Sequence, residues 1–191
     1  NSVFIDCGSN LGQGFGFFSQ YFTSDKFDYY LIEPNPHCEE KLMKIIDEKK
    51  EKCSIKLIKK AVSTENGFID MLIDKSDNTS EGASILRGYN LRVKLQKPKS
   101  SIKVEKFSFS DFMKEQAIKY DNIIVKMDIE GAEYDVIEKL ICSGSHMAMS
   151  LLIVEFHSQF MANPQRRAYK KRQRRIIRRL KRDSVPTAIW I

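Results

Sequence analysis

Short apolar runs alternate with helix-like segments along this chain, and this alternation constrains the fold more than any other feature. The runs are rich in β-branched and aromatic residues and lie at residues 3–6, 29–33, 55–61, 123–128 and 151–156. Apolar residues at helical spacing occur between several of them, at residues 13–22, 37–50, 110–119 and 132–141. Strands that helices cover on both faces are nearly continuous in apolar residues, as these runs are. The sequence therefore predicts an α/β fold with a mostly parallel central sheet and helices on both faces.

The connection between the third and fourth runs is too long for a simple turn. Residues 68–73 and 101–107 have strand-like composition, residues 76–84 form a polar stretch, and a last short strand is predicted at residues 187–191. Long insertions in compact domains are usually functional covers or disordered segments. We therefore expect this insertion to act as a lid over a pocket.

The length and composition of the chain indicate one domain over residues 1–191, since 42% of the 191 residues are hydrophobic. The first predicted strand begins at Val3, which is also typical of a domain excised from a longer protein. The four cysteines lack the paired spacing of a zinc site or a disulfide framework. No apolar run reaches the roughly 18–20 residues of a membrane span. These features predict a soluble, cytoplasmic protein.

Positive charge is concentrated near the C-terminal end. Eleven of the 32 Lys and Arg residues lie in segment 165–183, whereas the first 164 residues contain 21 basic and 24 acidic side chains. Tyr169, Ile176, Ile177 and Leu180 recur there at helical spacing, which predicts a basic amphipathic helix packed on the domain. An anionic membrane surface, a nucleic acid or a partner domain are alternative partners for this segment. Aromatic residues for stacking on bases are almost missing, which argues against single-stranded RNA.

A glycine-rich turn follows the first predicted strand and opens the first predicted helix. Its sequence is Asp6-Cys7-Gly8-Ser9-Asn10-Leu11-Gly12. Glycines in such a turn let a ligand approach the backbone, and free amides at the helix start suit a carboxylate or a phosphate. A purely structural turn is the alternative, because many folds need glycine between a strand and a helix.

An acidic residue at the end of the second predicted strand strengthens the ligand-binding interpretation. Glu33 follows Gly12 by 21 positions and precedes Pro34, Asn35 and Pro36. A carboxylate at this position can accept hydrogen bonds from ribose hydroxyls. A solvated carboxylate is the alternative, but the two features together predict a nucleoside site.

Three motifs of the chain resemble the FkbM family of methyltransferases. They are the glycine turn, the segment around Glu33, and Val125-Lys126-Met127-Asp128-Ile129-Glu130-Gly131-Ala132-Glu133. The likeness extends to Lys60-Ala61-Val62-Ser63 and Val154-Glu155-Phe156-His157, so it covers roughly residues 3–158, and the basic segment departs from the family pattern. The resemblance implies a Rossmann-like class I methyltransferase fold, S-adenosylmethionine as methyl donor, and O-methylation, frequently of sugars in glycans or of secondary metabolites.

The resemblance also implies which residues bind the donor. The glycine turn would line the methionine part, Glu33 the ribose, and Val62 or Ser63 the adenine edge. The full set of donor-binding candidates is Asp6, Gly8, Ser9, Asn10, Gly12, Glu33, Asn35, Val62, Ser63, Asp128 and Glu130. Asn10 distinguishes the turn from the Gly-x-Gly-x-x-Gly pattern, which weakens a dehydrogenase interpretation.

Polar side chains that follow two of the predicted strands are the candidates for catalysis. Methyl transfer from a sulfonium needs an aligned acceptor oxygen and removal of the hydroxyl proton. We predict catalytic roles for Asp128, Glu155 and His157, with Asp128 as proton acceptor or partner of the methionine ammonium and His157 as general base. For Glu130, a role in the site and a role at the start of the helix are both open. Glu133 is expected to accept hydrogen bonds from free amides at the helix start.

A divalent cation is an open alternative at the same place, because Asp128, Glu155 and His157 offer suitable oxygen and nitrogen ligands. We do not favour an obligatory metal, since no Asp-Asp or Asp-Asn pair follows the fifth strand.

The predicted function is O-methylation of a small-molecule or glycan hydroxyl, most readily of a sugar. A neighbouring glycosyltransferase domain is the expected partner. An RNA ribose 2'-O-methyltransferase and a non-catalytic nucleoside-binding module are the alternatives.

Overall fold

The computed structural model describes residues 1–23, 25–49, 54–74, 99–161 and 165–190. The polar stretch predicted at residues 76–84 lies outside these ranges. In chain order the elements are β1 (Ser2–Cys7), α1 (Gln13–Phe18), β2 (Phe27–Ile32), α2 (Glu39–Lys49), β3 (Ile55–Ile58), β4 (Ala61–Ser63), β5 (Gly67–Asp74), β6 (Lys99–Ser108), α3 (Phe109–Lys119), β7 (Asn122–Met127), α4 (Glu133–Ser143), β8 (Leu151–Val154), α5 (Gln165–Arg182) and β9 (Thr187–Ile189). Short 3₁₀ turns lie at Pro36–Cys38, Ser145–Ala148 and Ser158–Phe160.

A parallel sheet of six strands forms the centre of the described structure. The strands lie in the order β3-β2-β1-β7-β8-β9, and all of their pairings are parallel. The order reverses between β1 and β7, and ligands of open α/β sheets bind at such a reversal, beyond the carboxyl ends of the strands. This arrangement confirms the predicted α/β fold.

Apolar cores lie on both faces of the central sheet. On one face, Phe15 and Phe18 of α1 and Leu42 of α2 pack with Phe4 and Leu31 of the strands. The core on the other face takes side chains from α3, α4 and α5, among them Met113, Val136, Ile137, Ile176 and Leu180. Helices therefore cover both faces, as predicted, and this explains why the strands are nearly continuous in apolar residues.

A second sheet contains β4, β6 and β5, and it corrects one sequence prediction. The single strand predicted over residues 55–61 is wrong, because β3 ends at Ile58 and Ala61 begins β4 in the other sheet. The Ile58 carbonyl accepts a hydrogen bond from Glu33 N–H at 3.0 Å, after which the chain leaves the central sheet. Apolar residues occur in both strands, and only the structure shows that Ala61 and Val62 of β4 are buried whereas the residues of β3 are not.

The strand-like parts of the predicted insertion pair with each other. β5 and β6 are antiparallel over the register from Gly67↔Lys106 to Asp74↔Lys99. Ala61, Met71, Ile73 and Val104 form a small core in this sheet. The insertion therefore has its own apolar face and adds a sheet next to the end of β3.

The basic segment near the C-terminal end forms α5. Ile176 and Leu180 are buried in the main core, and Arg172 forms ion pairs with Asp135 and Glu138 of α4. The apolar stripe and these ion pairs fix α5 to the domain, whereas most of its basic side chains are exposed. Within the described ranges, neither α5 nor any other helix has the length and apolar content that a membrane crossing requires.

Candidate functional site

Four neighbouring strands end at the same level, and this aligns the residues that follow them. The last residues of β2, β1, β7 and β8 lie side by side in the register of the sheet. The next residues therefore leave the sheet together, and they are Glu33, Gly8, Asp128 and Glu155. Backbone hydrogen bonds extend the alignment, since Asp128 N–H donates to the Cys7 carbonyl and Glu155 N–H to the Met127 carbonyl, both at 3.0 Å. The sheet thus brings the sequence-predicted candidates to one edge.

Gly8 lies where the glycine turn touches the loop after β7. Its φ is +81°, and a Cβ atom at this position would lie 1.8 Å from the Asp128 carbonyl oxygen. Asn10 also has a positive φ, of 46°. Only glycine allows the two loops to approach this closely, so Gly8 is required by the packing of the turn as well as by its conformation.

A buried ion pair lies beneath the glycine turn. Lys126 Nζ is 3.2 Å from Asp6 Oδ1 and 3.5 Å from Asp128 Oδ2, and it donates a hydrogen bond to the Gly8 carbonyl at 3.2 Å. Burial raises the pKa of Asp6, and the charge of Lys126 acts against this rise. Burial also lowers the pKa of Lys126, but the charges of Asp6 and Asp128 outweigh it, and the pKa is raised overall. Lys126 therefore carries its charge and links the ends of β1 and β7.

Lys126 is a site residue that the sequence analysis missed. A lysine within the apolar run of β7 was the available signal, because lysine is almost never fully buried without a partner. Asp6 was predicted to line the donor, but its side chain is fully buried and lies under the turn with Lys126. A direct contact between Asp6 and a donor stays a prediction. In this structure Asp6 positions the turn.

The Glu33 carboxylate is held by the backbone on either side of it. Glu33 is only 8% exposed, and it accepts hydrogen bonds from Asn10 N–H at 2.8 Å and from Asn35 N–H at 2.9 Å. Burial raises the pKa of Glu33, and these two hydrogen bonds counteract the rise. The carboxylate is therefore fixed between the glycine turn and the loop after β2, as a preorganised hydrogen-bond acceptor requires.

Ser9 and Asn35 use their side chains within these loops. Ser9 Oγ donates to the Asp6 carbonyl at 2.9 Å and accepts from Ile32 N–H at 3.1 Å, which joins the ends of β1 and β2. Asn35 Oδ1 accepts from His37 N–H at 3.1 Å and caps the following 3₁₀ turn. Both side chains stabilise the loops around the site through these hydrogen bonds. Their contact with a donor stays a prediction.

A pocket of about 210 Å³ adjoins Glu33. Its walls include Asn35 from the loop after β2, Leu57 of β3, and Val104 and Glu105 of β6. Pockets that enclose a whole drug-sized ligand measure roughly 300 Å³ or more, so this one suits a fragment such as a nucleobase. The insertion therefore walls the pocket through β6, in agreement with a cover next to the site.

Val62 and Ser63, the residues predicted for the adenine edge, lie in β4. The Val62 side chain packs in the main core, and Ser63 is also buried. Neither residue belongs to the wall of the pocket beside Glu33. Their role in adenine binding stays a prediction.

His157 lies among the carboxylates that follow β7 and β8. Its Nδ1 is 2.8 Å from Glu133 Oε1, and its Nε2 is 3.5 Å from Asp128 Oδ1, 3.5 Å from Glu155 Oε1 and 3.9 Å from Glu130 Oε2. Burial lowers the pKa of His157, but the hydrogen bond to Glu133 and the surrounding negative charges raise it to about 9. The imidazole therefore holds a proton more strongly in this cluster than a free histidine does, and its role as general base stays a prediction.

Glu133 holds both the start of α4 and the imidazole of His157. It is fully buried, and its Oε1 accepts hydrogen bonds from Ile129 N–H and Gly131 N–H, each at 3.0 Å. Glu133 accepts hydrogen bonds from free backbone amides, as the sequence analysis predicted. Its contact with His157 was missed, because the two residues lie 24 positions apart in the chain. Glu133 therefore positions His157 as well as the helix.

The raised pKa of His157 predicts a pH-dependent stability for the metal-free protein. The ordinary pKa is 6.5 and the folded value about 9, so the stabilisation is complete below pH 6.5 and is lost as the pH rises to about 9. A shift of this size corresponds to at most roughly 3.5 kcal/mol. Urea unfolding in the presence of EDTA should show this loss of unfolding free energy between pH 6.5 and 9, and His157→Gln should remove it. An equal pH dependence in both proteins would contradict the assignment to His157.

Asp128, Glu130 and His157 could together hold a metal ion. One carboxylate oxygen from each acidic residue and one imidazole nitrogen all lie within 4.8 Å of one another. Glu130 differs from an ordinary helix-start residue, because its φ of 54° places it in the left-handed region before α4. The loop after β7 thus directs two carboxylates toward His157.

An open parallel sheet with a glycine turn and an acidic residue at its point of reversal places the chain in the doubly wound α/β class. The family model described as the methyltransferase FkbM domain matches residues 6–178. This match spans most of the chain, so the chain belongs to the FkbM methyltransferase family, as the sequence motifs indicated. The family is described as one of methyltransferases.

Solved structures include relatives that are similar to this chain. A crystal structure of methyltransferase FkbM from Methylobacillus flagellatus KT is similar to this chain with 15% sequence identity and a TM-score of 0.47. The similarity covers 75% of this chain and 30% of that one, so the chain spans about a third of the length of this relative. No curated protein matches the sequence significantly.

Proposed function

We propose that this domain transfers a methyl group from S-adenosylmethionine to a hydroxyl oxygen of a sugar or glycan. The observation that carries the proposal is the Glu33 carboxylate, fixed at the point where β2 ends and hydrogen-bonded to the amide of Asn10 in the glycine turn. A ribose diol is the group that a fixed carboxylate at this position recognises in nucleoside-binding folds. Within a methyltransferase family, the nucleoside that this implies is the adenosyl part of S-adenosylmethionine.

The donor would lie across the reversal of the sheet. Its adenine would enter the pocket beside Glu33, and its methionine part would follow the glycine turn toward Asp128. Carboxylates near Asp128 favour a sulfonium cation and an ammonium group, because opposite charges attract most strongly at a partly dehydrated site. The acceptor would then lie over the ends of β7 and β8.

In the reaction, the acceptor oxygen forms a bond to the methyl carbon while the bond between this carbon and the sulfonium sulfur breaks. The hydroxyl proton must pass to a base, and we assign this role to Glu155. Burial raises the pKa of Glu155 and the charge of Asp128 adds to the rise, whereas His157 lowers it. A carboxylate with a raised pKa accepts a proton more readily than an ordinary one.

The acceptor class follows from the open carboxylates at this edge. Asp128, Glu130 and Glu155 are partly exposed, with side-chain exposures of 26%, 20% and 24%. Ionised carboxylates only accept hydrogen bonds, so they complement an acceptor that presents several hydroxyl donors. This arrangement supports a sugar or glycan as the acceptor.

Donor binding provides the first test. Calorimetric titration should show binding of S-adenosylhomocysteine and no comparable binding of NAD or ATP. Glu33→Gln should weaken the binding by roughly 10–100-fold, because a hydrogen bond to a charged group contributes about 1.5–3 kcal/mol. Glu105→Gln is a matched control, since Glu105 lines the same pocket but is half exposed and pairs with Lys60.

The outcomes separate the alternatives. Binding of NAD or ATP instead of S-adenosylhomocysteine would exclude S-adenosylmethionine as the donor. An equal loss of affinity for S-adenosylhomocysteine in Glu33→Gln and Glu105→Gln would contradict the role of Glu33. Binding without methylation of any sugar, glycan or RNA acceptor would support a non-catalytic module. Turnover on RNA alone would reassign the acceptor to a ribose hydroxyl.

A further inference from the structure

Beyond methyl transfer, we propose that Asp128, Glu130 and His157 form a binding site for a divalent metal cation. The three residues supply two carboxylate oxygens and one imidazole nitrogen, and these atoms lie within 4.8 Å of one another. A mixed set of this kind suits cations such as Mn²⁺ or Zn²⁺. Binding of the cation stands independently of the methyl-transfer proposal, and only its use in catalysis rests on that proposal.

The separations around His157 fit ligands of a common ion. Its Nε2 lies 3.5 Å from Asp128 Oδ1 and 3.9 Å from Glu130 Oε2, beyond the range of about 2.7–3.2 Å that is typical of hydrogen bonds to nitrogen. Ligand atoms that are each about 2.1–2.3 Å from one ion lie roughly 3.0–3.3 Å apart when adjacent and about 4.2–4.6 Å apart when opposite. Small side-chain movements would therefore bring both carboxylates into coordination with the cation.

The contact between His157 and Glu133 is an independent feature of a metal site. Histidine ligands almost always donate their second ring N–H to a carboxylate or a carbonyl, which fixes the ring and directs the other nitrogen to the metal. Here Nδ1 lies 2.8 Å from the fully buried Glu133, and Glu133 is itself held by two backbone amides. His157 Nε2 is thereby directed toward Asp128, Glu130 and Glu155.

Asp128 divides its two oxygens between two partners. Oδ2 lies 3.5 Å from Lys126 Nζ, and Oδ1 faces His157. Glu130 reaches the cluster from a left-handed backbone conformation, which is unfavourable for a residue other than glycine. Strained residues of this kind occur where a ligand holds a loop in place. A cation would also relieve the repulsion between the neighbouring carboxylates.

The test measures metal binding directly. Protein treated with EDTA and then desalted is titrated calorimetrically with Mn²⁺ and, separately, with Zn²⁺. We expect one cation of at least one of these metals per chain. Asp128→Asn and His157→Gln should each weaken this binding by at least tenfold, while Asp111→Asn, at an exposed carboxylate paired with Lys114, should leave it unchanged.

A variant of Glu133 tests the positioning of His157 without removing a proposed metal ligand. Glu133→Gln should lower the metal affinity by roughly 10–100-fold, as is typical when the hydrogen-bond partner of a ligand is lost. Circular dichroism is recorded for every variant, and only folded variants are compared. Absence of one-to-one binding to wild-type protein, or binding that none of the three site variants weakens, would overturn the proposal. The same preparations are also titrated with S-adenosylhomocysteine. This measurement distinguishes a failure of the metal-site proposal from a failure of the proposed function.

Discussion

Replacing Gly8 with alanine is expected to lower the free energy of unfolding by roughly 3 kcal/mol or more. The left-handed backbone at φ +81° costs an alanine about 1–2 kcal/mol. The new Cβ would also lie 1.8 Å from the Asp128 carbonyl oxygen, and relieving such an overlap costs about 1–3 kcal/mol more. Urea unfolding measures the loss, which should be accompanied by weaker donor binding because the two loops move apart.

Gly16→Ala is the matched control for this substitution. Gly16 lies inside α1, and an added Cβ would meet no atom within 4 Å. Alanine in a helix is more favourable than glycine by roughly 0.5–1 kcal/mol, so this variant should be slightly more stable than wild type. Similar stability of the two variants would show that the contact between the turn and the loop after β7 does not constrain residue 8.

Replacing Lys126 with methionine is expected to destabilise the domain by roughly 3 kcal/mol at neutral pH. The substitution keeps an unbranched side chain of similar length but leaves the buried Asp6 without its counter-charge, and loss of one partner of a buried pair costs about 3–5 kcal/mol. The loss should be smaller at lower pH, because burial already raises the pKa of Asp6 and a protonated carboxyl needs no counter-charge. Urea unfolding at several pH values measures both effects.

Two comparisons make the interpretation of Lys126 specific. Lys114→Met removes an ion pair with Asp111 at 2.9 Å, but both side chains are more than half exposed, so the expected change is below about 1 kcal/mol. Asp6→Asn combined with Lys126→Met should recover part of the lost stability, because the unpaired charge is removed. An equally small effect of Lys114→Met and Lys126→Met would contradict the role of the buried pair.

Both substitutions act on the support of the site. Lys126 connects Asp6, Asp128 and the Gly8 carbonyl, and Gly8 allows the glycine turn to lie against the loop after β7. The ends of β1 and β7 are thereby held together at the reversal of the sheet. A shift of this support would separate the proposed donor residues from the proposed acceptor residues.

The prediction of the fold depended on patterns that are local in the chain. Buried strands and amphipathic helices have their own periodicities, so the alternation of β1, α1, β2 and α2 could be recognised without tertiary information. The division of residues 55–61 between two sheets could not, because apolar residues occur in both strands and do not show which sheet each strand joins. The pairing partner of Ala61 is Lys106, a residue 45 positions away, and sequence spacing does not specify it.

The candidate site was predicted in outline for a related reason. In a parallel sheet the strand ends lie at one edge, so residues after predicted strands, such as Glu33, Asp128 and Glu155, could be selected as candidates for binding or catalysis. The contacts between side chains were not accessible in this way. The place of Lys126 beneath the turn and the contact between Glu133 and His157 depend on distances between distant parts of the chain.

The sequence by itself determined the α/β class, the glycine turn, the acidic residue after β2 and the family, because each of these is a property of short contiguous segments. Only the tertiary structure decided how the charges are distributed at the site. It buries Asp6 with Lys126, fixes Glu33 through backbone amides, and surrounds His157 with carboxylates that raise its pKa to about 9. Burial and proximity of charged groups control these properties, and both arise only when the strand ends meet in the folded chain.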